Sequence, residues 1–265
     1  MTARHHPRSR FSQNFLRDRN TIERLVAAID PRPSQRLVEI GPGEGALTRP
    51  LLAHAGALTA IEVDADLADR LADWPGLVIE RADSRQIDLT ALAQAKGGAL
   101  RLVGNLPYHI TTPLVFHALA HCGVITDMHF LLQAEVVQRL AASAGSRDYG
   151  RLSVMVQYRC RVEPLFRVPP GAFRPAPRVT SQLVRLTPHA QAPVSVRHEA
   201  ALETTVAYAF GQRRKTLRNA LRPLLDAAAI SAAGVSPGER AEQLSLADFA
   251  ALADAYYARQ SGELS

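Results

Sequence analysis

Val38-Glu-Ile-Gly-Pro-Gly-Glu-Gly-Ala-Leu-Thr48 (VEIGPGEGALT) decides how the chain is read. An apolar run, Arg36–Ile40, leads into it as a buried strand, and a helical pattern from Ala46 to Ala55 leads out. Glycines at 41, 43 and 45 let the backbone turn sharply between the two and leave room for a ligand against the main chain. The helix amino terminus behind them offers free N–H groups and positive potential. About twenty residues further on, Glu62 ends the next strand with Asp64 close by, where an acid can accept both ribose hydroxyls of a nucleoside cofactor. Gly41-x-Gly43-x-x-Ala46 also meets the looser dinucleotide pattern, so the loop alone leaves the cofactor open.

The same rhythm continues on both sides. Asn20–Ile29 reads as an amphipathic helix that stops before Pro31 and Pro33. Leu58–Val63, Leu77–Ile79, Leu100–Val103 and Met128–Leu132 read as strands, with helices over Ala65–Ala72 and Thr112–Ala120. This alternation predicts an α/β fold with a doubly wound, mainly parallel sheet, whose ligands bind beyond the carboxyl ends of the strands. After Val136 the rhythm breaks; Val162–Val168 and Gln182–Leu186 are strand candidates around the proline-rich VPPGAFRPAPRV. PHAQAP (Pro188–Pro193) resembles a linker and everything from His198 onward is helical. The expected division is therefore a domain over 1–194 and a small helical domain over 195–265.

Composition narrows the class. At 47% apolar and 21% charged the 265 residues match ordinary globular proteins, and no run spans a bilayer. The start of the chain lacks the apolar core of an export signal, and Cys122 and Cys160 are too few for a disulfide framework or a thiolate metal site, so a cytoplasmic monomer without a metal is expected. Net charge is +6, carried almost wholly by arginine, with Lys96 and Lys215 the only lysines. Its distribution is uneven. Residues 1–19 hold five arginines against Asp18; nine lie between 135 and 185 against three acids; and Arg213, Arg214, Lys215, Arg218 and Arg222 cluster with no acid among them. Like charges so close should repel, which favours a polyanionic partner over a merely solvated helix face.

Asn105-Leu106-Pro107-Tyr108 follows the Leu100–Val103 strand. The exocyclic amine of adenine is a poor nucleophile because its lone pair is delocalised into the ring. The Asn105 side-chain oxygen and a nearby backbone carbonyl could each accept one N–H and favour the pyramidal amine. Pro107 stiffens the loop and brings no competing N–H. Tyr108 offers a ring for a flipped-out base, worth about 1–3 kcal/mol. Asp83, just past the third strand, is placed to meet an adenine ring, though position alone serves a helix cap equally well.

With these residues assembled, the chain closely resembles the bacterial small-subunit ribosomal RNA adenine dimethyltransferases, relatives of the erythromycin-resistance methyltransferases. The resemblance runs from about Arg10 to about Tyr257 through SQNFL (Ser12–Leu16), VEIGPGEGALT, IEVD (Ile61–Asp64), the Asp83 position, NLPYHIT (Asn105–Thr111), VPPGAFRPAPRVTS (Val168–Ser181) and FGQRRKTLRNAL (Phe210–Leu221). It implies a Rossmann-like class I methyltransferase domain using S-adenosylmethionine, followed by a helical domain that grips ribosomal RNA through Arg213, Arg214, Lys215, Arg218 and Arg222. By the same resemblance Asn14, Leu16, Gly41, Gly43, Glu62, Asp83 and Asn105 bind the cofactor, Gly41 at the methionine part, Glu62 at the ribose and Asp83 at the adenine. Asn105, Leu106, Pro107 and Tyr108 serve catalysis, and Phe173 is the second aromatic closing on the target base; read without the resemblance, Phe173 is a core or loop anchor. Three positions depart from the family pattern: Ser12 for the usual Gly, Glu44 for an apolar residue, and His109 for Asn. A resistance-type enzyme acting on large-subunit RNA, and an assembly factor valued for binding more than methylation, are the competing readings.

Overall fold

The computed structural model describes residues 14–212 and 214–262. It forms two compact units: one holds the described residues up to Val137 together with Val162–Pro188, the other Gln138–Arg161 and the described residues from His189 on. The C-terminal helices fall in the unit that resumes at His189. Residues 138–161, however, belong with them and not with the sheet-bearing unit. The Tyr158 hydroxyl donates to Glu199 Oε1 at 3.2 Å and Gly145 N to the Glu242 carbonyl at 2.7 Å. A division placed by composition cannot see such returns of the chain.

In the first unit the strands are β1 (Phe15–Leu16), β2 (Arg36–Ile40), β3 (Leu58–Ile61), β4 (Leu77–Glu80), β5 (Leu100–Asn105), β6 (Ile125–Gln133), β7 (Cys160–Val168), β8 (Phe173–Arg174) and β9 (Ser181–Pro188), β7 starting in the second unit. Seven form one sheet in the order β4-β3-β2-β5-β6-β9-β7. The first five are parallel, while β9 returns antiparallel to β6. The helices α1 (Arg19–Ile29), α2 (Thr48–Ala55), α3 (Ala65–Leu71), α4 (Leu89–Ala95), α5 (Thr111–Ala120) and α6 (Ala134–Leu140) alternate with these strands. Because β3 and β4 lie to one side of β2 and β5 and β6 to the other, the order reverses between β2 and β5. A crevice opens beyond the strand ends at such a point.

Local chemistry explains the elements. Asp18 caps α1 by accepting from Thr21 N and Oγ1, and Leu25, Val26 and Ile29 bury its inner face, each contributing about 1.5–3 kcal/mol. Arg101 on β5 is buried but fully engaged. It pairs with Asp127 on β6 at 2.9 Å and donates to the Ile29 and Asp30 carbonyls, satisfying the end of α1. Helix α4 was not foreseen: LTALAQA is short and weakly patterned, and its start is fixed by Asp88 accepting from Thr90 N and Ala91 N. In the second unit α7 (Arg151–Arg159), α8 (Glu199–Gly211), α9 (Leu217–Ala220), α10 (Ala227–Ala232) and α11 (Leu246–Gln260) surround Leu202, Val206 and Phe249.

Candidate cofactor and base site

The carboxyl ends of β2, β3, β4 and β5 open on one cavity of about 310 Å³, at the small end of the roughly 300–1,000 Å³ range of ligand pockets. Asn14, Leu16, Gly41, Gly43, Glu62, Asp83, Asn105, Leu106, Pro107 and Tyr108 all line it. Ten of the residues expected from sequence, from five separate stretches, therefore meet in one place.

The glycine loop is as tight as its sequence requires. Gly41, Gly43 and Gly45 have φ of 67°, 58° and 81°. At Gly45 a Cβ would also lie 2.6 Å from the Trp74 ring, so both conformation and space demand glycine. Gly104 has a different reason: a Cβ there would come within 2.7 Å of the Ile40 carbonyl. The missing side chain lets β5 lie close against β2 just before Asn105.

Glu62 is 5% exposed. Its oxygens accept from Gly43 N at 3.3 Å and Asp64 N at 2.9 Å, tying strand end to glycine loop. Burial raises its carboxyl above the ordinary value, backbone N–H groups pull it part of the way back, and the Asp64 charge adds to the rise. Asp83 sits oppositely. Arg85 grips both its oxygens, through Nε at 2.9 and 3.2 Å, and holds it ionised below the usual range. A charged acceptor is thus ready at that end of the cavity, while burial disfavours charge at the other.

Asn105 Nδ2 donates to the Asn14 carbonyl at 3.0 Å. That bond orients the amide with its side-chain oxygen as the remaining acceptor. The next residues are stapled down: Leu106 N donates to the Leu131 carbonyl, while Ile110 N and Thr111 Oγ1 both donate to the Pro107 carbonyl. Tyr108 opens a 3-10 turn, and its hydroxyl lies 3.0 Å from Ser181 Oγ at the start of β9. Burial raises the phenol's pKa, Ser181 pulling the other way, so the ring stays neutral.

Phe173 is the one expected catalytic residue that does not line the cavity. It is 2% exposed, pairs with Leu16 in the β1–β8 ladder and packs with Leu25, Leu131 and Val168 instead of lining the cavity. Buried in that cluster and paired with the N-terminal strand, it takes the place of a core or loop anchor, as a lone Phe commonly does. Of the three departures, Glu44 forms an ion pair with Arg17, which occupies its carboxylate, and His109 is an exposed residue of the cavity lining. Ser12 lies outside the described residues, as does Arg213. Arg214, Lys215, Arg218 and Arg222 are all exposed on the second unit.

Four lining or supporting residues were not anticipated. Glu39 lines the cavity yet is 2% exposed, and its Oε2 lacks a hydrogen-bond partner among the described residues. An acid inside an otherwise apolar strand was the available signal. Val63 presents an apolar surface, 55% exposed, between Glu62 and Asp64; Arg85 grips Asp83; Ser181 meets Tyr108. The Asp83–Arg85 pair is local, two positions apart, whereas the Tyr108–Ser181 contact depends on tertiary approach and leaves no local mark.

Glu39 has a measurable consequence. Burial, opposed by the Thr48 hydroxyl and reinforced by Glu62, raises its carboxyl from 4.5 to about 7. The folded chain therefore holds a proton that the unfolded chain releases, so stability is full below pH 4.5 and falls as pH rises to about 7, by about 3 kcal/mol from this group. Urea unfolding of the cofactor-free protein across that window should show the decline, and Glu39→Gln should flatten it, leaving the slope that Glu62 contributes. An unchanged slope in the Gln variant would assign the pH dependence elsewhere.

Ser181 gives a second expectation. Ser181→Ala removes one buried hydrogen-bond partner of Tyr108, a loss of about 1 kcal/mol. Turnover should fall several-fold with cofactor affinity unchanged, and Tyr108→Phe should bring the same loss without adding to it. Additive losses in the double variant would mean that the two hydroxyls act separately.

A doubly wound sheet, a glycine loop after its first parallel strand, an acid ending the next and an Asn-Leu-Pro-Tyr loop at the switch point define a class I S-adenosylmethionine-dependent methyltransferase. The sequence matches the family model for ribosomal RNA adenine dimethylase over residues 4–257, and the chain belongs to that family. It is 54% identical to ribosomal RNA small subunit methyltransferase A of Pseudomonas aeruginosa over 254 residues, 94% of each chain. It is 52% identical to the protein of that name from Chromohalobacter salexigens, over 94% of this chain and 91% of the other. Among solved structures, the 23S rRNA methyltransferase ErmE superposes with a TM-score of 0.67 at 27% identity, covering 92% of this chain and all of that one. A dimethyladenosine transferase from Plasmodium falciparum superposes at 0.71 with 21% identity, over 90% and 95% of the two chains, and speaks for the fold. Among the described residues, no group of His, Cys, Asp and Glu is placed to hold a metal ion, and no helix is long and apolar enough to cross a membrane.

Proposed function

We propose that the chain dimethylates the exocyclic amines of two adjacent adenines in a loop near the 3′ end of small-subunit ribosomal RNA, as a cytoplasmic monomer acting in subunit biogenesis. The observation that carries this reading is the Asn105–Tyr108 loop, held at the cavity by Asn14, Leu131 and Ser181, beside two acids suited to a nucleoside.

The residues present suit S-adenosylmethionine. Glu62 retains lone pairs for the ribose hydroxyls, since a carboxylate has about four acceptor sites and two backbone N–H groups use only part of them. Asp83 is an ionised acceptor for the adenine amine, Val63 gives that ring an apolar face, and the Gly41–Gly43 turn leaves main-chain room for the methionine end. Bound there, the cofactor supplies an electrophilic methyl group on a sulfonium centre.

Everything else falls to the chain. The Asn105 side-chain oxygen and the Leu106 carbonyl accept the two N–H bonds of the target amine and turn its lone pair toward the cofactor. Tyr108 stacks under the extruded base; a base already in a loop costs less to extrude than a paired one. The catalytic gain comes from positioning and fixed dipoles, with no covalent enzyme intermediate. In the second unit, Arg213, Arg214, Lys215, Arg218 and Arg222 would hold RNA phosphates.

The test is transfer of labelled methyl from S-adenosylmethionine to unmethylated small subunits, followed by nucleoside analysis. Dimethyladenosine in small-subunit RNA is expected. The likeness to ErmE makes large-subunit RNA the informative alternative substrate. Transfer there and not to the small subunit would overturn the proposal in favour of a resistance-type activity, and transfer to neither would leave a binding factor.

A further inference from the structure

The second unit carries an open groove of about 800 Å³ whose walls are the end of α8 and the segment through α9 to Pro223. Tyr208, Lys215, Asn219 and Arg222 line it, with Ala207 and Gly211 small enough to leave the tyrosine ring uncovered. The inward face of α8 is Ala201, Leu202, Thr205, Val206 and Ala209, so Tyr208 falls off that face and is 44% exposed. Among the described residues its hydroxyl has no hydrogen-bond partner, and close to half of the residue stays open to a ligand. No acid occurs between Ala207 and Pro223.

We infer that this groove binds one unpaired nucleotide of the RNA, its base stacked on Tyr208, its edge met by Asn219 and its flanking phosphates by Lys215 and Arg222. The inference rests on the ribosomal RNA reading above but goes beyond it. The basic cluster alone would serve a paired stem equally well, since phosphate contacts carry no information about pairing. A free aromatic face between two cations suits an unstacked base, because a paired base offers no face to stack on. The Asn219 amide is exposed and donates only weakly to Thr216 Oγ1, at 3.4 Å, so it is available to a base edge. Acidic protein partners would use the cations but have no need of the ring.

The experiment measures binding of the full chain to two labelled RNAs of equal length, a stem with a single-stranded loop and a fully paired duplex, at several salt concentrations. Tyr208→Ala should weaken the stem-loop about 5- to 160-fold and leave the duplex unchanged, while Tyr208→Phe keeps wild-type affinity. Replacing Lys215 and Arg222 together by Ala should lower the stem-loop's log–log salt slope by roughly 0.7 per lost contact. Photocrosslinking of 4-thiouridine in the loop should map to Tyr208. Wild-type affinity of Tyr208→Ala for the stem-loop, or an equal loss on both RNAs, overturns the inference; thermal unfolding of the variant shows whether an equal loss is misfolding, in which case the crosslink site decides. Wild-type methyl transfer separates this from the parent reading. Transfer with no Tyr208 effect removes the groove alone; a selective Tyr208 effect without transfer removes the activity alone.

Discussion

Glu62→Ala is expected to lower S-adenosylmethionine affinity by about 10²–10⁴-fold, because two hydrogen bonds to a charged acceptor are lost at about 1.5–3 kcal/mol each. The acid is buried at the end of β3, where water cannot replace it. The variant also strips acceptors from Gly43 N and Asp64 N, so the glycine loop could loosen for reasons unrelated to the ribose. Glu62→Gln separates the two effects: it keeps an acceptor for one N–H and the shape of the site but removes the charge, and should fall between wild type and Ala. The pH dependence follows from the same burial. Glu62 titrates above the usual carboxyl value, and the ribose contact needs the ionised form, so affinity should weaken as pH falls through that raised value. Titration calorimetry at two pH values checks both. An Ala variant that binds within threefold of wild type would remove Glu62 from the cofactor site.

That acid is legible in the sequence because its signal is local. A strand, a sharp glycine turn and an acid at the end of the following strand each leave a mark in a few consecutive residues. The parallel sheet of β2 to β6 then has few ways to assemble, and its switch point brings the marked loops together. What escaped the sequence depends on distant approach. Residues 138–161 leave the sheet-bearing unit because of bonds such as Gly145 N to the Glu242 carbonyl, nearly a hundred positions away. Phe173 is drawn into the core by two residues of pairing with Phe15 and Leu16, too short a ladder to leave a pattern. Glu44 stands in the glycine loop where the family pattern has an apolar residue, and its ion-pair partner, Arg17, lies 27 positions earlier. Motif reading thus finds which residues gather, while the partners that set their charge and direction come from the fold.

Asn105 is where that distinction has its largest effect. Asn105→Ala should lower turnover by about 10²–10³-fold or more, the range seen when one fixed polar group is removed from a reacting centre. Affinity for RNA should stay close to wild type, since the phosphate contacts proposed above lie in the second unit and Tyr108 keeps its Ser181 anchor. The sequence identifies Asn105 as an acceptor; the structure adds that its Nδ2 is committed to the Asn14 carbonyl. Asn105→Asp therefore discriminates between two causes. The carboxylate keeps an oxygen to accept from the target amine but loses the N–H that Asn14 accepts, and sets a charge against that carbonyl. If acceptance alone mattered, Asp would retain most of the rate. If the fixed direction of the amide is needed, Asp should fall nearly as far as Ala. The geometry favours the second outcome, because the carbonyl on the N-terminal strand would repel the carboxylate and turn its oxygen away from the amine. Single-turnover transfer with bound RNA measures the chemical step directly, and wild-type turnover in Asn105→Ala would remove this residue from catalysis.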